Sequence, residues 1–118
     1  MGAVTQVEQR WSQRKIVSIE VDVVDNGVKI ARSKTRDVGL GGVFLELDEI
    51  AHEPEQGQAL ELEFLITRSE DETIRHRLSA KVVRVEMDGI GLVFTEFDTS
   101  TFRALQEIMR FTPTSNVV

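Results

Sequence analysis

Strict two-residue alternation constrains this chain more than any other feature. Val17, Ile19, Val21 and Val23 are apolar while Ser18, Glu20 and Asp22 are polar, which reads as a half-buried strand over 16–24. Val43, Leu45 and Leu47 alternate with Phe44 and Glu46, Leu60, Leu62, Phe64 and Ile66 with Glu61 and Glu63, and Ile90, Leu92 and Phe94 repeat the pattern. Such runs must pair as strands and close a core from their apolar faces. Asp25-Asn-Gly27 and Asp88-Gly89 read as hairpin turns between them. After Arg68-Ser-Glu-Asp-Glu72 comes a longer strand. Its apolar parity changes from Ala80 and Val82 to Val83 and Val85, as at a β-bulge or a bend that closes a small barrel.

Beyond Asp98 the period changes from two residues to that of a helix. Asp98-Thr-Ser-Thr supplies capping residues, Phe102, Leu105 and Met109 recur at helical spacing, Arg110 sits in the last turn, and Pro113 ends the run. The expected architecture is mainly β: six short strands in an antiparallel barrel or strongly curved sheet, with one C-terminal α-helix over an open end.

The first hairpin register decides where three cations point. A two-residue Asn26-Gly27 loop would set Arg32 opposite Val21 and Lys34 opposite Ile19, on the core face. A three-residue loop with Gly27 left-handed pairs Val21 with Ala31, Ile19 with Ser33 and Glu20 with Arg32, and this register is preferred. Arg32, Lys34 and Arg36 then form an outward basic ladder that runs directly into Asp37.

At 118 residues the chain is expected to be one domain over 8–112, with a flexible tail at 1–7 and a second tail at 113–118. It has no cysteine, so disulfides, thiolate nucleophiles and cysteine-ligated metals are excluded. No apolar run reaches membrane-spanning length and no secretory signal opens the chain, so the expectation is a cytoplasmic protein without membrane insertion. The net charge of −6 argues against DNA or RNA as partner. That charge is uneven, at +3 over residues 8–36 and −9 over 37–118, which suits a small anionic ligand better than a long polyanion.

Catalytic chemistry is thin. His52 and His76 have no acid at relay or ligand spacing, no serine sits in a nucleophile elbow, and Glu61 and Glu63 fall on the outer face of a strand. The expectation is therefore no enzyme, no metal and no cofactor.

Two stretches carry the candidate chemistry. In Glu8-Gln-Arg-Trp-Ser-Gln-Arg-Lys15, three cations and Trp11 precede the first alternation, with Arg10 and Arg14 four apart. Guanidinium forks suit phosphates and the O6/N7 edge of guanine, and they stack on base planes. A solvated basic flank with Trp11 capping the core would use the same residues. In Thr35-Arg-Asp-Val-Gly-Leu-Gly-Gly-Val-Phe44, Asp37 and the glycines 39, 41 and 42 lie between two strands. The glycines allow positive φ and close approach of a ligand, and Gly39 would leave its N–H free. A tight turn with a bulge would equally account for the stretch.

Taken together, Arg10-x-x-x-Arg14 before the first strand and Asp37-x-Gly39-x-x-Gly42 after the second resemble the PilZ family. Its motifs are Arg-x-x-x-Arg and (Asp/Asn)-x-Ser-x-x-Gly. Gly89-Ile-Gly-Leu-Val-Phe94 is similar to the family's late strand, and the helix falls where PilZ domains carry one. The resemblance implies a PilZ-like split barrel acting as a cyclic di-GMP receptor or adaptor. Arg10 and Arg14 would hold phosphates and guanine edges from the arm, while Asp37, Gly39 and Gly42 would hold guanine and ribose from the barrel. Binding would fold the arm onto the barrel and signal to a downstream protein. Two positions depart from the pattern: Gln9 stands where a further arginine often lies, and Gly39 replaces the motif serine. The alternative is a degenerate PilZ-like interaction module without nucleotide, working through the acidic loop 48–58.

Overall fold

The first hairpin turns on two residues. Asn26 and Gly27 both have positive φ, at 56° and 84°, the left-handed pair whose twist matches that of the strands it joins. In the computed structural model, which describes residues 15–46, 54–96 and 98–110, this turn connects β2 (Glu20–Asp25) to β3 (Val28–Val38). The rest of the chain forms β1 (Lys15–Ile16), β4 (Gly42–Glu46), β5 (Ala59–Ser69), β6 (Glu72–Glu86), β7 (Gly89–Phe94) and α1 (Thr99–Arg110). All pairings are antiparallel, in the order β1-β3-β2-β5-β6-β7-β4, and β3 also pairs with β4. That last pairing closes β2 to β7 into a six-stranded barrel, leaving β1 as an extra strand against β3. The expected barrel with one helix is therefore found. The tails at 1–7 and 113–118, Trp11, Leu47 and His52 lie outside the described residues.

The register differs from the one preferred above. Val21 faces Ser33 and Val23 faces Ala31, two residues further along, so Arg32 lies opposite Asp22 rather than Glu20. The physical reason is a two-residue turn combined with a bulge. Ile30 is the extra residue, since Val23 pairs with Ala31 and Val24 with Lys29, and this slip of one keeps Arg32 and Lys34 outward.

The single strand expected over 16–24 is broken at 17–19. Thr35, buried on β3, holds the break: its Oγ1 accepts the Ile19 N–H at 2.9 Å and donates to the Val17 carbonyl, while its own N–H reaches the Ile19 carbonyl at 2.9 Å. Side-chain bonds here satisfy backbone groups that a regular ladder would have used.

The parity change in β6 is a bulge, as expected, with Val83 as the extra residue between the Val82–Leu92 and Arg84–Gly91 pairs. Val83 and Val85 are nevertheless 42% and 43% exposed. The first is unpaired at the bulge and the second lies in the hairpin end beyond the core. Leu45, Leu62, Phe64, Ile66, Val82 and Ile90 fill the interior, and Phe64 and Phe94 meet at 6.4 Å between ring centroids.

The helix begins where its cap predicts. Asp98 Oδ1 accepts the Thr101 N–H at 2.8 Å and the Ser100 hydroxyl at 3.0 Å. Those bonds hold the Asp98 carboxyl below its ordinary range, the Thr101 backbone N–H being the main cause. Ala104, Leu105 and Ile108 enter the barrel core. Phe102, one of the apolar residues at helical spacing, is 41% exposed, because Thr101 and Leu105 occupy the face that meets the barrel.

Candidate functional site

The glycine loop and the root of the N-terminal arm meet at one edge of the barrel. At its C-terminal end β3 lies between β1 and β4: Asp37 has Ile16 on one side and Phe44 on the other, and Val38 has Lys15 and Val43. Chain order puts Arg14 next to Lys15. Arg10 and Arg14 themselves lie outside the described residues, so what the fold places together is Asp37, Gly39 and Gly42 with the point where the arm joins.

The loop is held by main-chain bonds. The Gly39 N–H donates to the Gly42 carbonyl at 2.8 Å, and the Phe94 N–H donates to the Gly41 carbonyl at 3.0 Å. The Gly39 N–H is thus engaged, not free as expected, because the four-residue reversal from β3 to β4 closes on it. Positive φ among the glycines of the described residues occurs at Gly27 and Gly57, not in this loop. Gly42 has a different requirement: a Cβ there would lie 2.2 Å from the Leu92 carbonyl oxygen. It is glycine because β7 crosses too closely for any side chain. Asp37 stands on β3, half-buried, rather than in the loop.

Beside this edge lies a feature that alternation alone does not reveal. Thr35 pairs with Leu45 and Asp37 with Phe44, so Arg36 is the extra residue of a bulge. Its guanidinium lies 4.1 Å from the Phe44 ring centroid, with Arg84 at 5.7 Å. Arg36 also binds Asp88 at 2.7 Å, which holds that carboxyl below its ordinary range. A groove of about 460 Å³ runs from here past Gly41, Gly42, Phe44, Val83 and Val93. Its sequence signal was Phe44 facing the opposite way from Val43 and Leu45, an aromatic on an outward parity.

The remaining cations of the ladder divide. Arg32 forms a two-pronged pair with Asp22, at 2.7 Å and 3.1 Å. Asp22 is buried, and the Arg32 bond, opposed by desolvation and assisted by Lys29, lowers its pKa. Lys34 stays exposed between Glu20 and Glu46. The array continues through Arg75 to Glu63 at 3.2 Å and from Arg77 to Glu61 at 3.1 Å. Glu61 and Glu63 are thus ion-pair partners, and the Arg77 bond lowers the Glu63 pKa. His76 does meet an acid, Glu107 of α1, at 3.1 Å. The sequence separation of 31 residues hid that pair.

A family model described as the PilZ domain matches residues 8–111. The chain belongs to the PilZ domain family. PilZ domains form a cyclic di-GMP receptor family and serve as binding and adaptor modules. Among solved structures, the chain is similar to the PilZ domain of CeSA from a cellulose-synthesizing bacterium, at 16% identity and a TM-score of 0.63, over 83% of this chain and 99% of that one. It is also similar to the Bacillus subtilis inhibitor of motility MotI/DgrA, at 19% identity and a TM-score of 0.63, over 82% of this chain. This PilZ chain corresponds to 48% of that second protein's length. A search of curated protein sequences found no match. At these identities the two structures establish the fold. No helix among the described residues is long and apolar enough to cross a membrane.

Proposed function

We propose that this PilZ domain is a cyclic di-GMP receptor that relays binding to a partner protein through its N-terminal arm, working as a binding module rather than a catalyst. One observation carries the reading. β1, the root of the arm, pairs with β3 directly beside Asp37 and one residue before the Gly39 to Gly42 loop.

Arg10 and Arg14 would supply forked, charge-assisted bonds to the phosphates and guanine edges, and Asp37 would accept from guanine N–H groups. The engaged Gly39 N–H leaves the loop a smaller role in gripping the ligand than a free amide would have, and puts more of the binding on the two arginines and Asp37. The serine hydroxyl missing at Gly39 corresponds to about 0.5–1.5 kcal/mol, at most about tenfold in affinity.

Calorimetric titration with cyclic di-GMP tests the proposal. Micromolar-range binding is expected, and it should disappear in Arg10→Ala and in Arg14→Ala. Folded protein that gives no binding heat would favour the degenerate module, a reading that rests on Gly39 standing in the serine position.

A further inference from the structure

The arginines whose side chains are among the described residues fall into two groups. Arg32, Arg36, Arg75, Arg77 and Arg84 each pair with a carboxylate on the barrel surface. Arg103 and Arg110, both on α1, form no ion pair among the described residues. The chain holds 20 Asp and Glu against 14 Lys and Arg, so unpaired guanidinium groups are not explained by a shortage of acids. The nearest acid in sequence, Glu107, stands four residues after Arg103, the spacing of a helical ion pair, yet it turns to His76 of β6 instead.

The two arginines share one helix face with an exposed aromatic. At about 100° per residue, Phe102, Gln106, Arg110 and Arg103 fall within an arc of about 100°. All four are exposed, and Thr101, Leu105 and Ile108 turn the other way into the core. Arginine with aromatic anchors is the composition of interface centres rather than of ordinary solvated surface. The stripe also borders the candidate ligand edge, because Lys15 Nζ at the root of the arm donates to the Met109 carbonyl at 2.7 Å.

We propose that the outer face of α1 is a docking surface for an acidic amphipathic segment of a partner protein, with Phe102 as apolar anchor and Arg103 and Arg110 as carboxylate receptors. Charge complementarity selects that occupant. Two arginines alone give only weak attraction to an anionic membrane, and a protein of net charge −6 is repelled by anionic lipid surfaces and nucleic acids alike. A short acidic segment engages the stripe alone, within a Debye length of about 8 Å in physiological salt.

This surface deepens the relay half of the function proposed above but does not require nucleotide, so the test is run on nucleotide-free full chain. The probes are a synthetic peptide of about 16 residues with one leucine face and one glutamate face, its lysine counterpart, and phosphatidylglycerol vesicles. Amide NMR shifts from the glutamate peptide are expected to centre on Phe102, Arg103, Gln106 and Arg110, and binding should weaken with salt. Affinity should fall at least about tenfold in Arg103→Glu/Arg110→Glu and also in Phe102→Ser, with circular dichroism unchanged. The proposal is overturned by equal binding of the lysine peptide, by preference for vesicles, by shifts centred elsewhere, or by no shifts at all. Failure here leaves the cyclic di-GMP titration untouched, and failure of that titration leaves this one untouched.

Discussion

Two outer faces of the barrel use charge in opposite ways. Across β3, β2, β5 and β6, Lys29, Arg32, Arg75 and Arg77 alternate with Asp22, Glu63 and Glu61, and the ion pairs link these residues to one another. At the other face, where β1, β3 and β4 meet, backbone bonds and glycines shape a loop, and Asp37 stands beside the point where the arginine-bearing arm joins. The contrast teaches that a cation's position on an outward strand face does not mark a site. Arg32 and Arg36 come from the same ladder, but one pairs with the buried Asp22 while the other, lifted by a bulge, pairs with the exposed Asp88 and lies over Phe44. The first face is a structural lattice, and the second is the edge to which the proposed ligand is assigned.

The largest expected effect breaks the loop rather than the lattice. Gly42→Ala would push a Cβ into the Leu92 carbonyl, 2.2 Å away, and a backbone cannot yield as a side-chain end can. A loss of about 3 kcal/mol or more is expected by chemical denaturation. A near-neutral result would mean that β4 and β7 can separate without cost.

Asp22→Asn comes next. It removes the acid shared by Lys29, Arg32 and Arg75 from a buried position, with an expected loss of about 2 kcal/mol. Cyclic di-GMP affinity should stay unchanged, since the lattice and the loop are separate. Weaker nucleotide binding in a stably folded Asp22→Asn protein would erase the distinction drawn between the two faces.

The same lattice sets an acid limit. Asp22 and Glu63 have pKa values lowered in the folded protein, chiefly by bonds to Arg32 and Arg77. A depressed pKa contributes stability that is present above the unfolded value, near about 4, and is lost as pH falls through the folded value. Denaturant midpoints should therefore hold from neutral pH down to about 5 and drop below about 4. Asp22→Asn should flatten that drop.

The smallest effect sharpens the reading of the loop. Gly39→Ser restores the motif hydroxyl, and a neutral hydrogen bond corresponds to at most about tenfold tighter cyclic di-GMP binding. Unchanged or weaker affinity by calorimetry would show that this loop does not use position 39 as the family motif does.

Much of the architecture was legible in the residues. Alternation in Val21 and Val23, in Leu60 to Ile66 and in Ile90 to Phe94 marked the inward faces, because a strand places successive side chains on opposite sides. Asp98 marked the helix start for an equally local reason, its carboxylate reaching the N–H three residues on. The order and spacing of Arg10, Arg14, Asp37 and Gly42 pointed to the family, which the match over 8–111 establishes.

Tertiary structure decided what no local rule contains. The slip at Ile30 gave Arg32 to Asp22, the slip at Arg36 laid a guanidinium over Phe44, and β7 made Gly42 a steric necessity. Closing the loop engaged the Gly39 N–H, and packing α1 on the barrel joined His76 to Glu107 while turning Phe102 outward. Each of these depends on which strand or helix arrives beside a residue and at what register. Periodicity reports only which side of its own strand a residue faces, so the sequence determined the faces and the fold chose the partners.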